Sequence, residues 1–124
     1  VGVDVERFRQ ELEIEKIAHR FFSAKENAEL INLSADQQPI GFFNCWTRKE
    51  AYIKAHGLGL SLPLDSFEVS LAPNEPVVLR ATRPKADEAS RWTLLSLDID
   101  SRHAGAVAVD GNDLNFRFWD WIKA

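Results

Sequence analysis

Two acidic residues, Asp4 and Glu6, stand two positions apart near the start of the chain. On a β-strand this spacing puts both side chains on one face with their Cα atoms roughly 6.6 Å apart, so both carboxylates can approach one divalent cation. Hard oxygen ligands of this kind suit Mg²⁺ or Mn²⁺. Strands also commonly expose acidic residues to solvent, and the pair alone does not decide between these two interpretations.

A second set of reactive side chains recurs at helical spacing further along the chain. With about 3.6 residues per turn, Glu50 and Lys54 lie on one helix face with Trp46, and Lys49 lies at the border of that face. The simplest interpretation is an exposed ion pair between Glu50 and Lys54, worth about 0.2–0.5 kcal/mol. The functional interpretation is that Glu50 completes a carboxylate cluster with the two strand acids, while Lys49 or Lys54 neutralises phosphate oxygens.

The elements that must position these groups begin with a strand at the start of the chain. Val1, Val3 and Val5 alternate with small or acidic residues. This period of two predicts a strand with one buried face and one polar face. Asp4 and Glu6 then share the polar face.

Helices are predicted to follow this strand, and further strands to follow the helices. Ser23 and Glu26 have the spacing of a capping box, which predicts the start of the second helix. The predicted helices cover residues 13–22, 24–33 and 40–56, the last closing at Gly57, and the later strands cover 67–71, 77–82, 92–99 and 104–109. Because helices cluster first and strands come after them, the predicted fold class is α+β, with helices packed on one face of a mostly antiparallel sheet.

The size and charge of the chain limit its class. At 124 residues it is long enough for one hydrophobic core and too short for two ordinary domains, so residues 1–124 are expected to form a single domain. The net charge of -4 argues against a broad electrostatic grip on nucleic acid or on an anionic membrane. No stretch approaches the roughly 18 consecutive apolar residues that suggest a membrane span.

The chain contains one cysteine, Cys45, and no methionine. A single cysteine excludes an internal disulfide and a cysteine-based zinc site, and it fits a reducing compartment, here taken to be the cytoplasm. The strand pattern opens without any lead-in. We therefore expect the sequence to be a fragment or a processed product of a longer protein.

Three segments match one enzyme family in order and spacing. They are Gly2–Glu6, Arg20–Ser23, and Trp46–Ala55 followed by Gly57–Leu60. The chain resembles the second half of the surfactin-type 4′-phosphopantetheinyl transferases, most specifically in the WxxKExxxK run that begins at Trp46. The resemblance is strong over residues 1 to about 71 and general over the later strands.

The resemblance implies an activity and a role for each candidate residue. The family transfers phosphopantetheine from coenzyme A to a carrier-protein serine with Mg²⁺, or possibly Mn²⁺, and releases adenosine 3′,5′-bisphosphate. Asp4, Glu6 and Glu50 are then the metal ligands, and Glu50 is also the candidate base for the serine hydroxyl. Lys54 is expected to contact the coenzyme A phosphates and take part in catalysis, with Lys49 assisting.

The resemblance also implies partners, because surfactin-type enzymes have two similar halves with coenzyme A between them. One alternative is an isolated half that binds metal or a carrier protein but needs the missing N-terminal half. Another is a homo-oligomer of the holo-acyl-carrier-protein synthase type, with a dimer favoured over a trimer. Carrier proteins of this pathway are acidic, and a basic patch for them, or an ordinary solvated face, is formed by Arg7, Arg9, Lys16, Arg20 and Lys25.

Overall fold

The computed structural model describes residues 1–9, 13–56, 62–82 and 86–111, without the side chains of 86–88. The predicted α+β class is confirmed. The helices are α1 (Ile14–Phe21), α2 (Ala24–Asn32) and α3 (Gln38–His56), and the strands are β1 (Gly2–Arg7), β2 (Phe67–Val69), β3 (Leu79–Thr82), β4 (Trp92–Asp100) and β5 (His103–Asp110). Short 3₁₀ turns cover Leu64–Ser66 and Ala86–Arg91. The predicted helix end at Gly57 and the matching segment Gly57–Leu60 lie outside the described residues.

The strands form two antiparallel sheets. One contains three strands in the order β1-β5-β4, and the other pairs β2 with β3. Helix α3 packs against β1 and β5, so it lies across one face of the three-stranded sheet. Among the described residues, no helix is long and apolar enough to cross a membrane.

Local sequence signals account for the helix starts. Ser23 accepts the main-chain N–H of Glu26 and the Glu26 side chain accepts that of Ser23, which confirms the predicted capping box. Helix α3 begins at Gln38, two residues before the predicted start. Pro39 therefore falls in the first turn of the helix, where its missing N–H is not needed.

The prediction of which face of β1 is buried was wrong. Val1, Val3 and Val5 are 83%, 45% and 44% exposed, whereas Gly2 and Asp4 are buried against α3. The reason is the close approach of the helix: a Cβ on Gly2 would lie 2.0 Å from the carbonyl oxygen of Ala51. The helix leaves no room for a valine side chain at position 2, so the face that carries Gly2 and the acidic residues is the inner face.

Candidate active site

Asp4 is the innermost acidic group of the candidate site. Its side chain is 6% exposed, and its Oδ1 accepts a hydrogen bond from Lys54 Nζ at 2.8 Å. Its Oδ2 is buried and has no hydrogen-bond partner within the described structure. The Lys54 side chain is half exposed and also donates to the main-chain carbonyl of Val3 at 3.2 Å.

Glu6 and Glu50 lie within the electric field of this pair. Burial raises the pKa of Glu6, and the negative charge of Asp4 raises it further. Burial also raises the pKa of Glu50, the charge of Asp4 adds to that, and the Lys54 ammonium opposes it. The hydrogen bond to Asp4 raises the pKa of Lys54. The charges of the strand acids therefore interact with those of the helix residues Glu50 and Lys54, which is the grouping that the functional interpretation assumes.

These carboxylates do not form a ready ligand cluster. Across the described ranges, no group of three or more His, Cys, Asp or Glu side chains is arranged to hold a metal ion. In this arrangement the Lys54 ammonium takes one oxygen of Asp4. The donor set nevertheless suits a hard divalent cation, because it consists of carboxylates and, among the described residues, leaves one buried oxygen of Asp4 without a partner. The metal site stays a prediction.

Lys49 does not join this group. Its side chain is 0% exposed, and its ammonium lies 2.9 Å from Glu26 Oε1 in the core. It also donates to the main-chain carbonyls of Leu64 and Phe67. The expectation that Lys49 assists at the coenzyme A phosphates finds no support in this geometry, because its ammonium is enclosed among protein partners.

The sequence pattern did not indicate that two further charged side chains, those of Glu26 and Arg48, are buried. Glu26 was identified only as part of the capping box, yet its Oε2 also accepts the main-chain N–H of Val69 at 2.7 Å. Arg48 is buried as well and donates to the main-chain carbonyl of Ser70 at 2.6 Å. Burial lowers the pKa of Arg48 to about 10. The sequence signal for this burial was a run of consecutive charged residues on a central helix. Because a central helix packs against its neighbours on several sides, it cannot expose such a run completely to solvent.

Two open pockets flank the carboxylates. One has a volume of about 240 Å³ and lies beside Glu6, with Arg9 at its edge and aromatic walls that include Phe43 and Trp46. The other has a volume of about 320 Å³ and lies beside Glu50. Its lining residues are Arg20, Phe21, Ile53, Leu62, Pro63, Leu64 and Asp65.

Comparison with known sequences gives one consistent family. Residues 1–109 match the profile of the 4′-phosphopantetheinyl transferase superfamily. The 4′-phosphopantetheinyl transferase HetI of Nostoc sp. is 37% identical over 121 residues, which are 98% of this chain and 48% of that protein. The 4′-phosphopantetheinyl transferase Sfp of Bacillus subtilis is 45% identical over 71 residues, which are 57% of this chain and 31% of that protein. The chain spans half the length of these relatives or less.

Comparison with solved structures supports the fold. The holo-[acyl-carrier-protein] synthase of Thermotoga maritima aligns with a TM-score of 0.67 and 23% sequence identity. The alignment covers 89% of this chain and 61% of that one. At this level of identity the similarity shows a shared fold.

Proposed function

Because this chain belongs to the 4′-phosphopantetheinyl transferase superfamily, we propose that it is the catalytic half of an enzyme that transfers phosphopantetheine from coenzyme A to a carrier-protein serine. The observation that carries the proposal is the meeting of three carboxylates and one half-exposed ammonium where β1 packs on α3. Asp4, Glu6, Glu50 and Lys54 come from segments far apart in sequence, and their charges interact. Phosphoryl transfer depends on such positioning and charge neutralisation.

Each residue of the group has a distinct proposed role. Asp4, Glu6 and Glu50 would hold Mg²⁺ or Mn²⁺, and the bound ion would neutralise charge on the pyrophosphate. The Lys54 ammonium is exposed enough to contact phosphate oxygens. Glu50 would take the proton of the attacking serine hydroxyl, a role that suits a carboxylate whose pKa is raised.

The proposed reaction balances around one phosphorus atom. The serine oxygen forms a bond to the phosphorus that carries the pantetheine arm. The bond from that phosphorus to the bridging oxygen breaks, and adenosine 3′,5′-bisphosphate leaves. The proton of the serine hydroxyl passes to Glu50.

The second candidate is an isolated half without transfer activity of its own. The chain spans 48% of the Nostoc relative, so the groups that complete a coenzyme A site can lie in another half. Such a chain would bind metal or a carrier protein and would need an N-terminal half, or a second copy of itself, for transfer.

A single buried cysteine, Cys45, is compatible with our assignment of this reaction to the cytoplasm.

Mass spectrometry of an apo acyl carrier protein tests both candidates. The carrier protein is incubated with this chain, coenzyme A and MgCl₂, and the expected product is heavier by one phosphopantetheine group. If no product forms, the first half of the Nostoc relative is added as a separate chain or fused before Val1. Transfer restored by that half supports the second candidate, whereas no transfer in any form contradicts the proposed activity.

The variant Glu50→Gln tests the role of Glu50 in this assay. It keeps the shape of the side chain and removes its charge, so we expect the fold to remain and transfer to fall by at least about 100-fold, as for loss of a general base. Unchanged transfer by this variant would overturn the role of Glu50.

A further inference from the structure

Lys49 and Glu26 form an ion pair that is enclosed between α2 and α3. Their side chains are 0% and 1% exposed. Both oxygens of Glu26 are engaged, because Oε1 also accepts the Ser23 N–H at 2.9 Å and Oε2 accepts the Val69 N–H at 2.7 Å. Replacing both members of such a buried pair by uncharged side chains often costs no stability.

The remaining bonds of Lys49 connect it to the chain segment beside Glu50. Its ammonium donates to the main-chain carbonyls of Leu64 and Phe67, the latter at 2.5 Å, and lies 4.2 Å from the centre of the Phe67 ring. These carbonyls stand at the start and just after the end of the 3₁₀ turn Leu64–Ser66. An ammonium has three donors, and this one uses them to tie the turn to α2.

The turn contributes one wall of the 320 Å³ pocket beside Glu50. Leu62 and Leu64 line the pocket from the turn segment, and Ile53 lines it from α3. The charged residues Glu50 and Asp65 are also part of the lining. Most of the other lining residues are apolar, which suits contact with a polypeptide segment.

Glu50 lines this pocket, and its charge also interacts with the charges of Asp4 and Glu6. Lys54 turns toward β1, where it bonds Asp4, whereas Ile53 turns toward the pocket. In phosphoryl transfer the attacking and leaving oxygens lie roughly in line on opposite sides of the phosphorus. When the coenzyme A phosphates lie beside Lys54, the acceptor hydroxyl reaches Glu50 from the opposite side, through the pocket.

We propose that Lys49 is a positioning residue that holds the Leu64–Ser66 turn as one wall of the pocket through which the carrier-protein serine reaches Glu50. The proposal rests on the transfer activity proposed above. Arg20, which also lines this pocket, supplies a positive charge for an acidic acceptor protein. Lys49 itself touches neither substrate.

The test measures transfer kinetics for the double variant Lys49→Met with Glu26→Gln, in whichever form of the protein is active. This variant removes the ammonium and leaves no unpaired buried charge. We expect the KM for the carrier protein to rise about tenfold, with the KM for coenzyme A and the MgCl₂ dependence unchanged within about twofold. A rise in the KM for coenzyme A instead would overturn the proposal, and so would no change in any parameter.

A second variant loosens the same turn without entering the core. Pro63 is exposed and precedes the turn, so Pro63→Gly makes the wall more flexible and should give the same selective rise in the KM for the carrier protein. If the parent shows no transfer, amide chemical shifts of Leu62 and of residues 64–66 are followed during titration with apo acyl carrier protein. Shifts that weaken in the two variants support the proposal, and no shifts in the parent overturn it.

Discussion

Asp4 is buried on β1, yet within the described part of the chain only one of its carboxylate oxygens has a hydrogen-bond partner. Oδ1 accepts from Lys54 and Oδ2 has no partner. A buried acceptor without a partner costs about 1–3 kcal/mol, and such groups call for a functional explanation. A cation held by Asp4, Glu6 and Glu50 would supply the missing partner.

The raised pKa values of Glu6 and Glu50 predict how stability depends on pH. Between the ordinary value of 4.5 and the raised values, the folded chain binds more protons than the unfolded chain. The contribution of these groups to the free energy of unfolding is thus full below pH 4.5 and is lost as pH rises through the raised values. We expect Glu50→Gln to flatten this dependence and to raise the Tm of the metal-free chain at pH 7 by about 2 °C.

Thermal unfolding over a pH series, with and without MgCl₂, checks this prediction. Mg²⁺ should raise the Tm of the parent at pH 7 and have a smaller effect on Glu50→Gln, because the cation replaces the protons that relieve the repulsion. NaCl at equal ionic strength is the control for screening. A lower Tm for the metal-free variant would show that the Glu50 carboxylate is stabilising.

Lys54→Met should destabilise the fold although the side chain is half exposed. The substitution leaves the buried carboxylate of Asp4 without its ion-pair partner, and we expect a loss of about 1–3 kcal/mol in the free energy of unfolding. Lys16→Met is the matched control, since Lys16 pairs with Glu13 on an exposed surface at 2.9 Å and should change stability by less than about 1 kcal/mol. Urea denaturation of both variants measures the difference, and equal losses would contradict the role of Lys54.

At the scale of elements, local signals were readable from sequence and tertiary contacts were not. The capping box at Ser23 and Glu26 depends on four consecutive residues, and it formed as predicted. Which face of β1 is buried depends on how closely α3 approaches the strand. The residue pattern of the strand itself does not predict that distance. The valines have high β-propensity on either face, so their alternation fixed the period of the strand and not its inner side.

Gly2→Ala tests the close packing of β1 on α3. The new Cβ would lie 2.0 Å from the Ala51 carbonyl oxygen and 2.6 Å from the Ala55 main-chain nitrogen. Main-chain atoms of a helix cannot move aside cheaply, so we expect a loss of about 1–3 kcal/mol in the free energy of unfolding. Displacement of β1 should also weaken metal binding by its two acidic residues, which Mn²⁺ titration measures.

Gly41→Ala is the control, because it also adds a Cβ against a near neighbour. There the nearest atom is the Leu33 Cδ1 at 2.5 Å, the end of a flexible side chain. Alanine within a helix also gains about 1 kcal/mol of helix propensity over glycine. We expect a smaller loss than for Gly2→Ala, and the reverse order would contradict the packing explanation.

At the scale of the whole molecule, the sequence predicted which charged residues lie close together. It predicted less well the direction in which each side chain points. Helical spacing and the family resemblance grouped Glu50 and Lys54 with the strand acids, and the structure brings these charges together. The same spacing placed Lys49 at the border of that helix face, but it could not show that the Lys49 side chain is enclosed in the core. The different environments of Lys49 and Lys54 follow from the rotation of α3 between β1 and the Leu64–Ser66 turn, which is fixed by the packing of the whole core.

The outward face of β1 predicts self-association of the isolated chain. Val3 and Val5 are exposed apolar side chains, and β1 is an edge of its three-stranded sheet in the described part of the chain. Exposed apolar side chains on an edge strand favour association with another chain. With the chain spanning about half of its Nostoc relative, we expect a second copy to cover this face, giving a dimer.

Light scattering measures the mass, and hence the dimerisation, of the parent and of the double variant Val3→Thr with Val5→Thr. Threonine keeps the branched shape and the β-propensity of valine while reducing apolar area, so the variant should shift toward the monomer mass with its fold intact. Val78→Thr alters a similarly exposed valine elsewhere and should leave the parent's mass unchanged. A parent that remains monomeric at every concentration would rule out a second copy as the occupant, and this face would then be open to the first half of a longer enzyme.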